Sequence, residues 1–366
     1  MSQEAHRYEV ALRHSIGRID HTLATCEDRY PLYADPRSGV WATTRRGSWT
    51  AGFWVGLLWL RAVCTEAPAH ADVATMWTYR LCAKLEEKTV TRAMTFWHGA
   101  AAGYLLTGVP AAAEVALQGA ERLAGAFDPA LGLLPEGSAL RPSPRPRASI
   151  DAVAASTALL SWAGGYRSND ALTLMAHRNF ATLSLISVDA AGQVIPASTF
   201  TVQEAWQPDP AHTNMGAGWA RGHAWAMLAA AAAATWLGDE YLPQARHRAD
   251  RWLAQHMPGA GLPRWHLHHE PDVPDTSAAA MAAVALFKIH ELSGGQSPYA
   301  ARALDHLEAL LPHVTTPNGT RPGGMLLNGS YTPVAGVAPH HELIWGDYFL
   351  VQALMIATGR LAPEAI

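Results

Sequence analysis

Apolar residues recur at helical spacing along almost the whole chain, and β-branched alternating runs bounded by turns are scarce. The pattern predicts twelve helices, over roughly 5–26, 48–66, 71–88, 97–107, 110–126, 150–165, 168–186, 216–237, 239–256, 275–292, 297–313 and 341–359. Breakers separate them: Pro110, Gly164-Gly165, Gly238 and Gly294-Gly295 fall at the boundaries. Two kinds of helix alternate. The odd ones carry charge on one face, as in Gln244-Ala245-Arg246-His247-Arg248-Ala249-Asp250-Arg251. The even ones are almost uncharged and rich in small residues, as in Ala152-Val153-Ala154-Ala155-Ser156 and Ala278-Ala279-Ala280-Met281-Ala282-Ala283.

A helix that is apolar on every side must be covered on every side. Six such helices enclosed by six amphipathic ones describe an all-α fold, an (α/α)6 barrel, as a single domain over residues 1–366. A helical solenoid shares the alternation but has a shorter period and a clearer consensus. The polar and aromatic exceptions on the inner helices gather at their N-terminal ends. They are Trp49-Thr50-Ala51-Gly52-Phe53-Trp54, Trp97-His98, Ile150-Asp151, Trp219-Ala220-Arg221-Gly222-His223-Ala224-Trp225, Asp275-Thr276-Ser277 and Trp345-Gly346-Asp347-Tyr348. In a toroid of antiparallel hairpins these ends emerge at one mouth, forming an aromatic-lined funnel whose helix N-termini favour an anionic ligand. The Pro-rich run 141–147 cannot be helix and forms a loop at the rim. The stretch from about 187 to 215 is long and weakly patterned, as functional loops often are.

Composition narrows the function. A net charge of −4 gives no reason to expect nucleic acid or an anionic membrane as partner. The apolar run 228–237 is too short to span a bilayer, and the polar N-terminus lacks the features of a signal peptide. A cytoplasmic protein, monomer or homodimer, is expected. Cys26, Cys64 and Cys82 have no metal-ligand spacing and read as free thiols. The 14 Trp are many for this length; an aromatic face packs against the C–H face of a sugar ring, although large cores also use Trp. Neither His268-His269 nor His340-His341 has the spacing of a helical zinc site, and there is no HExxH, GxSxG, P-loop or GxGxxG after a strand. No metal or cofactor is expected. Asn318-Gly319-Thr320 and Asn328-Gly329-Ser330 are glycosylation sequons by pattern only.

Two charges stand out on the inner helices. Asp151 is alone among apolar residues; burial would hold its proton and suit it to be a general acid, while a helix N-cap is the plainer role. Arg221, between Trp219 and Trp225, needs an anion, supplied either by an internal Asp or by a ligand carboxylate.

At these same segments the sequence resembles the family 88 glycoside hydrolases, the unsaturated glucuronyl hydrolases. The likeness runs through Trp49–Trp54, Ile150-Asp151, Trp219–Trp225, Asp275–Ala280 and Leu343-Ile344-Trp345-Gly346-Asp347-Tyr348-Phe349, in order over nearly the whole chain. The resemblance implies an (α/α)6 barrel that needs no metal. It implies an acidic oligosaccharide substrate from which a 4,5-unsaturated uronic acid is removed by hydration of its vinyl ether. It makes Asp151 the acid and base, and places Arg221, Trp225 and Trp49 around the sugar. Trp54, His98, His212, Trp345 and Tyr348 are the further residues expected to bind substrate. One carboxyl suffices for this route, unlike ordinary glycosidases with two.

The sequence departs from the family at the fourth helix. There the family's His-Asp pair, whose Asp contacts sugar hydroxyls, is replaced by Phe96-Trp97-His98-Gly99-Ala100-Ala101. Gly99 and Ala101 are then expected to leave space where a carboxylate would stand. The family's His after the seventh helix falls near Pro196, and its Gln before the arginine motif near Ala211-His212. Two rival functions remain: a sugar epimerase of the same barrel class, with His98, His212, His223 and His340 as acid and base, and a non-catalytic sugar-binding relative.

Overall fold

The structure is a computed structural model that describes residues 3–139, 143, 145–201, 205–208, 218–257, 261–317 and 321–366. His212 and much of the Pro-rich run lie outside the described residues. The outer helices are α1 (Gln3–Cys26), α3 (Pro68–Arg80), α6 (Pro110–Ala124), α8 (Asp170–Ile186), α10 (Leu242–His256) and α12 (Tyr299–Leu310). The inner ones are α2 (Ala51–Thr65), the segment α4 (Arg92–Phe96) to α5 (Ala102–Thr107), α7 (Val153–Arg167), α9 (Ala220–Trp236), α11 (Thr276–Leu292) and α13 (Ile344–Ala357). Each inner helix packs on the next around the ring, and α13 packs on α2 to close it. The fold is the (α/α)6 barrel that the alternation of charged and uncharged helices predicts.

Burial follows the same division. Every residue of α9 from Ala220 to Ala231 is buried, whereas α10 buries only Ala245, Arg248, Ala249, Trp252 and His256. Helix starts and stops use the expected chemistry. Pro68 and Pro110 stand in the first turn, where no N–H partner is lost, and Gly108 ends α5 with a positive φ of 71°. Asp275 caps α11 through the N–H groups of Ser277 and Ala278.

The boundaries differ from the sequence pattern mainly at the mouth. The fourth helix of the sequence pattern, second of the inner ones, begins at Arg92 rather than near 97, and residues Trp97–Ala101 form a π-helical turn within it. The two helices expected from 150 and 341 begin at Val153 and Ile344, because strands occupy the approaches.

Connections leaving the inner helices are short, such as 66–67, 108–109 and 168–169, whereas those entering them are long: 27–50, 125–152, 187–219 and 311–343. Two small antiparallel sheets lie in these long connections. One has the order β2 (Trp41–Thr44), β1 (Tyr30–Ala34), β6 (Glu342–Leu343), with Tyr33 opposite Leu343. The other has the order β3 (Arg147–Ser149), β4 (Ala197–Thr201), β5 (Ala205–Pro208), with Ser149 opposite Ala197. Both fix the chain just before an inner helix begins, which places the mouth's side chains on a paired scaffold. No helix among the described residues is long and apolar enough to cross a membrane.

Candidate active site

Asp151 sits between β3 and α7, and its position follows from that junction. Ile150 N donates to Pro196 O, tying the end of β3 to the neighbouring connection, and Asp151 N donates to the Ser149 hydroxyl at 3.3 Å. The residue that caps α7 is Ala152, and no side chain makes a capping bond there. Asp151 is therefore not an N-cap. Its Oδ1 is buried with no hydrogen-bond partner among the described residues. Burial raises its pKa from 3.8 to about 6; Glu136 adds to the rise, while the Arg221 charge and the Ser149 hydroxyl oppose it. A carboxyl so placed still holds a proton in weakly acidic solution, and its Oδ1 is not tied to any partner among the described residues.

Arg221 lies in the first turn of α9. Its Nη1 is 3.3 Å from Asp275 Oδ2 and also donates to Ser330 O, and its Nη2 donates to Tyr331 O at 2.9 Å. The guanidinium carbon lies 4.7 Å from the Trp219 ring centroid and 5.4 Å from that of Trp345. Asp275, fully buried, accepts in turn from Ser277 Oγ at 2.6 Å and from Ser330 N at 3.2 Å. One carboxylate thus caps α11, pairs Arg221 and pins the chain at Ser330. The anion that Arg221 requires is internal, and both terminal nitrogens are engaged.

Tyr331 joins this group to the aromatic wall. Its hydroxyl accepts from Trp49 Nε1 at 2.9 Å, and its ring lies 5.1 Å from that of Trp345. Trp49 and Trp345 are 4.9 Å apart, and the buried Nε1 of Trp345 has no partner among the described residues. Deeper in the barrel, His98 stacks on Phe53 at 4.6 Å, and its Nδ1 lies 3.2 Å from the Tyr348 hydroxyl. Trp225, Tyr348 and Phe349 surround the same Phe53.

Of the residues singled out in the sequence, Trp49, Arg221 and Trp345 come together at the mouth, and His98, Trp225 and Tyr348 form a tier beneath. Trp54 goes elsewhere. It is buried against Trp77 of α3, ring to ring at 5.8 Å, so the lumen-facing aromatic of that turn is its neighbour Phe53. His223 is turned outward, its Nε2 3.1 Å from Arg248 O on α10, and His340 is exposed. Gly99 leaves little room for a side chain. A Cβ there would stand 2.6 Å from Leu81 Cδ1 and 3.1 Å from Gly52 Cα, because α2 and the π-helical turn approach closely at these two glycines. At Gly99 the expected space is therefore taken up by helix packing; Ala101, the other position expected to leave space, is fully buried. Among the described residues, no group of three or more His, Cys, Asp or Glu could hold a metal ion.

Tyr331 and Ser330 escaped the sequence reading, since they follow a sequon-like Asn-Gly with no helical period. Glu136, close enough to raise the Asp151 pKa, lies 3.1 Å from Arg147 at the start of β3. Only the position of its loop beside that of Asp151 could have suggested it.

No family model matches the chain. Among curated proteins it is 25% identical over 374 residues to the unsaturated glucuronyl hydrolase of Bacillus sp. (strain GL1), covering 95% of this chain and 96% of the relative. It is 23% identical over 351 residues to the unsaturated chondroitin disaccharide hydrolase of Streptococcus pneumoniae, covering 91% and 85%. Among solved structures, an unsaturated glucuronyl hydrolase specific for heparin superposes with a TM-score of 0.85 at 18% identity, over 97% of this chain and 98% of that one. In sequence and in fold alike, and over nearly its whole length, the chain resembles the unsaturated glucuronyl hydrolases of glycoside hydrolase family 88.

Proposed function

We propose that the protein is a hydrolase of acidic oligosaccharides that carry a 4,5-unsaturated uronic acid at the non-reducing end, and that Asp151 is its acid and base. The observation that carries this reading is the Asp151 carboxyl: its Oδ1 buried with no hydrogen-bond partner among the described residues, its pKa raised to about 6, and close enough to Arg221 to feel that charge. In this reaction the protonated Asp151 gives its proton to C4 of the C4=C5 double bond. Water adds at C5, returning a proton to the Asp151 carboxylate. The hemiketal at C5 opens to a ketone, and the hemiacetal left at C1 then expels the aglycone as an alcohol. One water is consumed and the carboxyl ends as it began. The oxocarbenium-like charge that develops after C4 takes the proton is stabilised by the newly formed Asp151 carboxylate.

The other roles follow from position. Trp49, half-buried, offers its ring face to the sugar, and the buried Trp345 packs behind it. Arg221, its terminal nitrogens engaged by Asp275, Ser330 and Tyr331, acts on the substrate carboxylate through its charge and holds the wall in shape. The whole chain works as one catalytic unit in this reading, because α2 and α13 close the ring and the mouth draws residues from both. Three free cysteines support a reducing, cytoplasmic setting. The test is to incubate the protein with lyase-generated oligosaccharides and follow the ultraviolet absorbance of the conjugated double bond. Loss of absorbance with release of the aglycone supports the reading. No loss across glycosaminoglycan- and plant-type uronides overturns it.

A further inference from the structure

The barrel lumen holds a cavity beneath the mouth that the hydration chemistry does not use. Trp225 follows Arg221 by four residues within α9, and Tyr348 and Phe349 follow Trp345 by three and four within α13, so helical period stacks each one turn deeper on the same face. Ala154 and Ala155, in the first turn of α7, line the same cavity. The cavity therefore lies below the tier of Arg221 and Trp345.

Its size is restrictive. Its volume is about 40 Å³. At roughly 10–15 Å³ for each water-sized group, that is space for about three heavy-atom groups, too little for a second sugar ring. The walls are mostly apolar, formed by Ala155, Ala158, Trp225, Leu228, Val284 and Phe349.

A fully buried polar atom on the wall lacks a partner. His98 is buried and its Nε2 makes no hydrogen bond among the described residues. The Tyr348 hydroxyl has His98 Nδ1, at 3.2 Å, as its one hydrogen-bond partner among the described residues. In the tautomer that lets the hydroxyl donate and Nδ1 accept, the ring proton is on Nε2. Burial, with the Lys288 charge in addition, lowers the His98 pKa to about 3, so the imidazole is a neutral donor. At the far end Lys288 is turned to the carbonyl oxygens of Pro363 and Ile366. A largely apolar chamber of this size with an unpartnered, buried imidazole nitrogen on its wall fits a short acyl group with one carbonyl oxygen.

We propose that this cavity is a specificity subsite for a small uncharged acyl substituent, an acetyl ester on a ring hydroxyl of the unsaturated uronide, whose carbonyl oxygen accepts from His98 Nε2. The assignment rests on the functional reading above and names its preferred substrate class. A sulfate of similar size would bring a charge among apolar walls, with the nearest cation already engaged.

The experiment compares kcat/KM for three forms of one unsaturated disaccharide: unmodified, O-acetylated at each free ring hydroxyl, and O-sulfated there. Wild type should favour one acetyl ester over the unmodified sugar by about tenfold, the worth of one buried hydrogen bond with its apolar contacts. Ala158→Leu, which fills the chamber, should reverse that preference. His98→Phe keeps the stack on Phe53 and should remove most of the preference without reversing it. Turnover of the unmodified sugar with no gain from either ester would overturn the proposal and leave the functional reading standing. Preference for the sulfated form would overturn it in favour of an anion site at Lys288. Turnover of none of the three would remove the functional reading, and this assignment with it.

Discussion

Replacing Asp151 by Asn tests the acid through stability as well as through rate. The folded protein raises this carboxyl from 3.8 to about 6, chiefly by burial. Below about pH 4 the group is protonated in both the folded and unfolded chain, and burial costs nothing through ionisation. As pH rises past about 6 the folded protein must carry an ionised carboxyl that it disfavours, so stability is lost there. A rise of about two units corresponds to about 3 kcal/mol; Asp151 is only partly buried, and solvent screening brings this to about 1–3 kcal/mol. Asn has nearly the same shape and no charge, and Asp151 makes no capping bond that the change would break. Asp151→Asn should therefore be more stable than wild type by about 1–3 kcal/mol near pH 8, with the gap closing towards pH 4. Guanidinium unfolding midpoints of the two proteins across that range measure it. A variant that is less stable than wild type at every pH would refute the reasoning and return Asp151 to a structural role.

Arg221→Met leaves Asp275 buried without its cation and should cost about 3–5 kcal/mol; adding Asp275→Asn should recover part of that loss in a double-mutant cycle of unfolding midpoints. Gly99→Asp should lower stability by about 3 kcal/mol or more and bring no gain in sugar binding, because the side chain would enter the contact of Gly52 with the π-helical turn; a stable variant with lower KM would contradict that packing. Tyr331→Phe removes the acceptor of Trp49 Nε1 and should raise KM several-fold at little cost in stability, about 1 kcal/mol by thermal melting.

The helices were legible because charge marks an outer helix and its absence an inner one, as the contrast between α10 and α9 shows. That reading needs only local pattern. Facing directions at the mouth needed the coordinates. Phe53 and Trp54 are adjacent in one apolar turn, and a rotation of about 100° per residue sends one into the lumen and the other against Trp77. Asp151 was legible as a lone carboxyl, but capping and catalysis share that sequence signal, and the absence of a capping bond at α7 removes the first of the two roles. The partner of Arg221 is 54 residues away and is also an N-cap, a double role that no spacing rule reveals. Gly99 was misleading for a plain reason: a missing side chain in sequence reads as space, whereas here it is where two helices meet.

The central claim is that Asp151 protonates C4 of a vinyl ether, and turnover in deuterium oxide tests it most directly. Nuclear magnetic resonance of the product early in the reaction should show one solvent deuteron delivered to a single face of C4 and a ketone at C5, with both signals absent in Asp151→Asn. A released sugar that keeps its double bond and has no deuteron at C4 would show direct cleavage of the glycosidic bond, and would contradict the account.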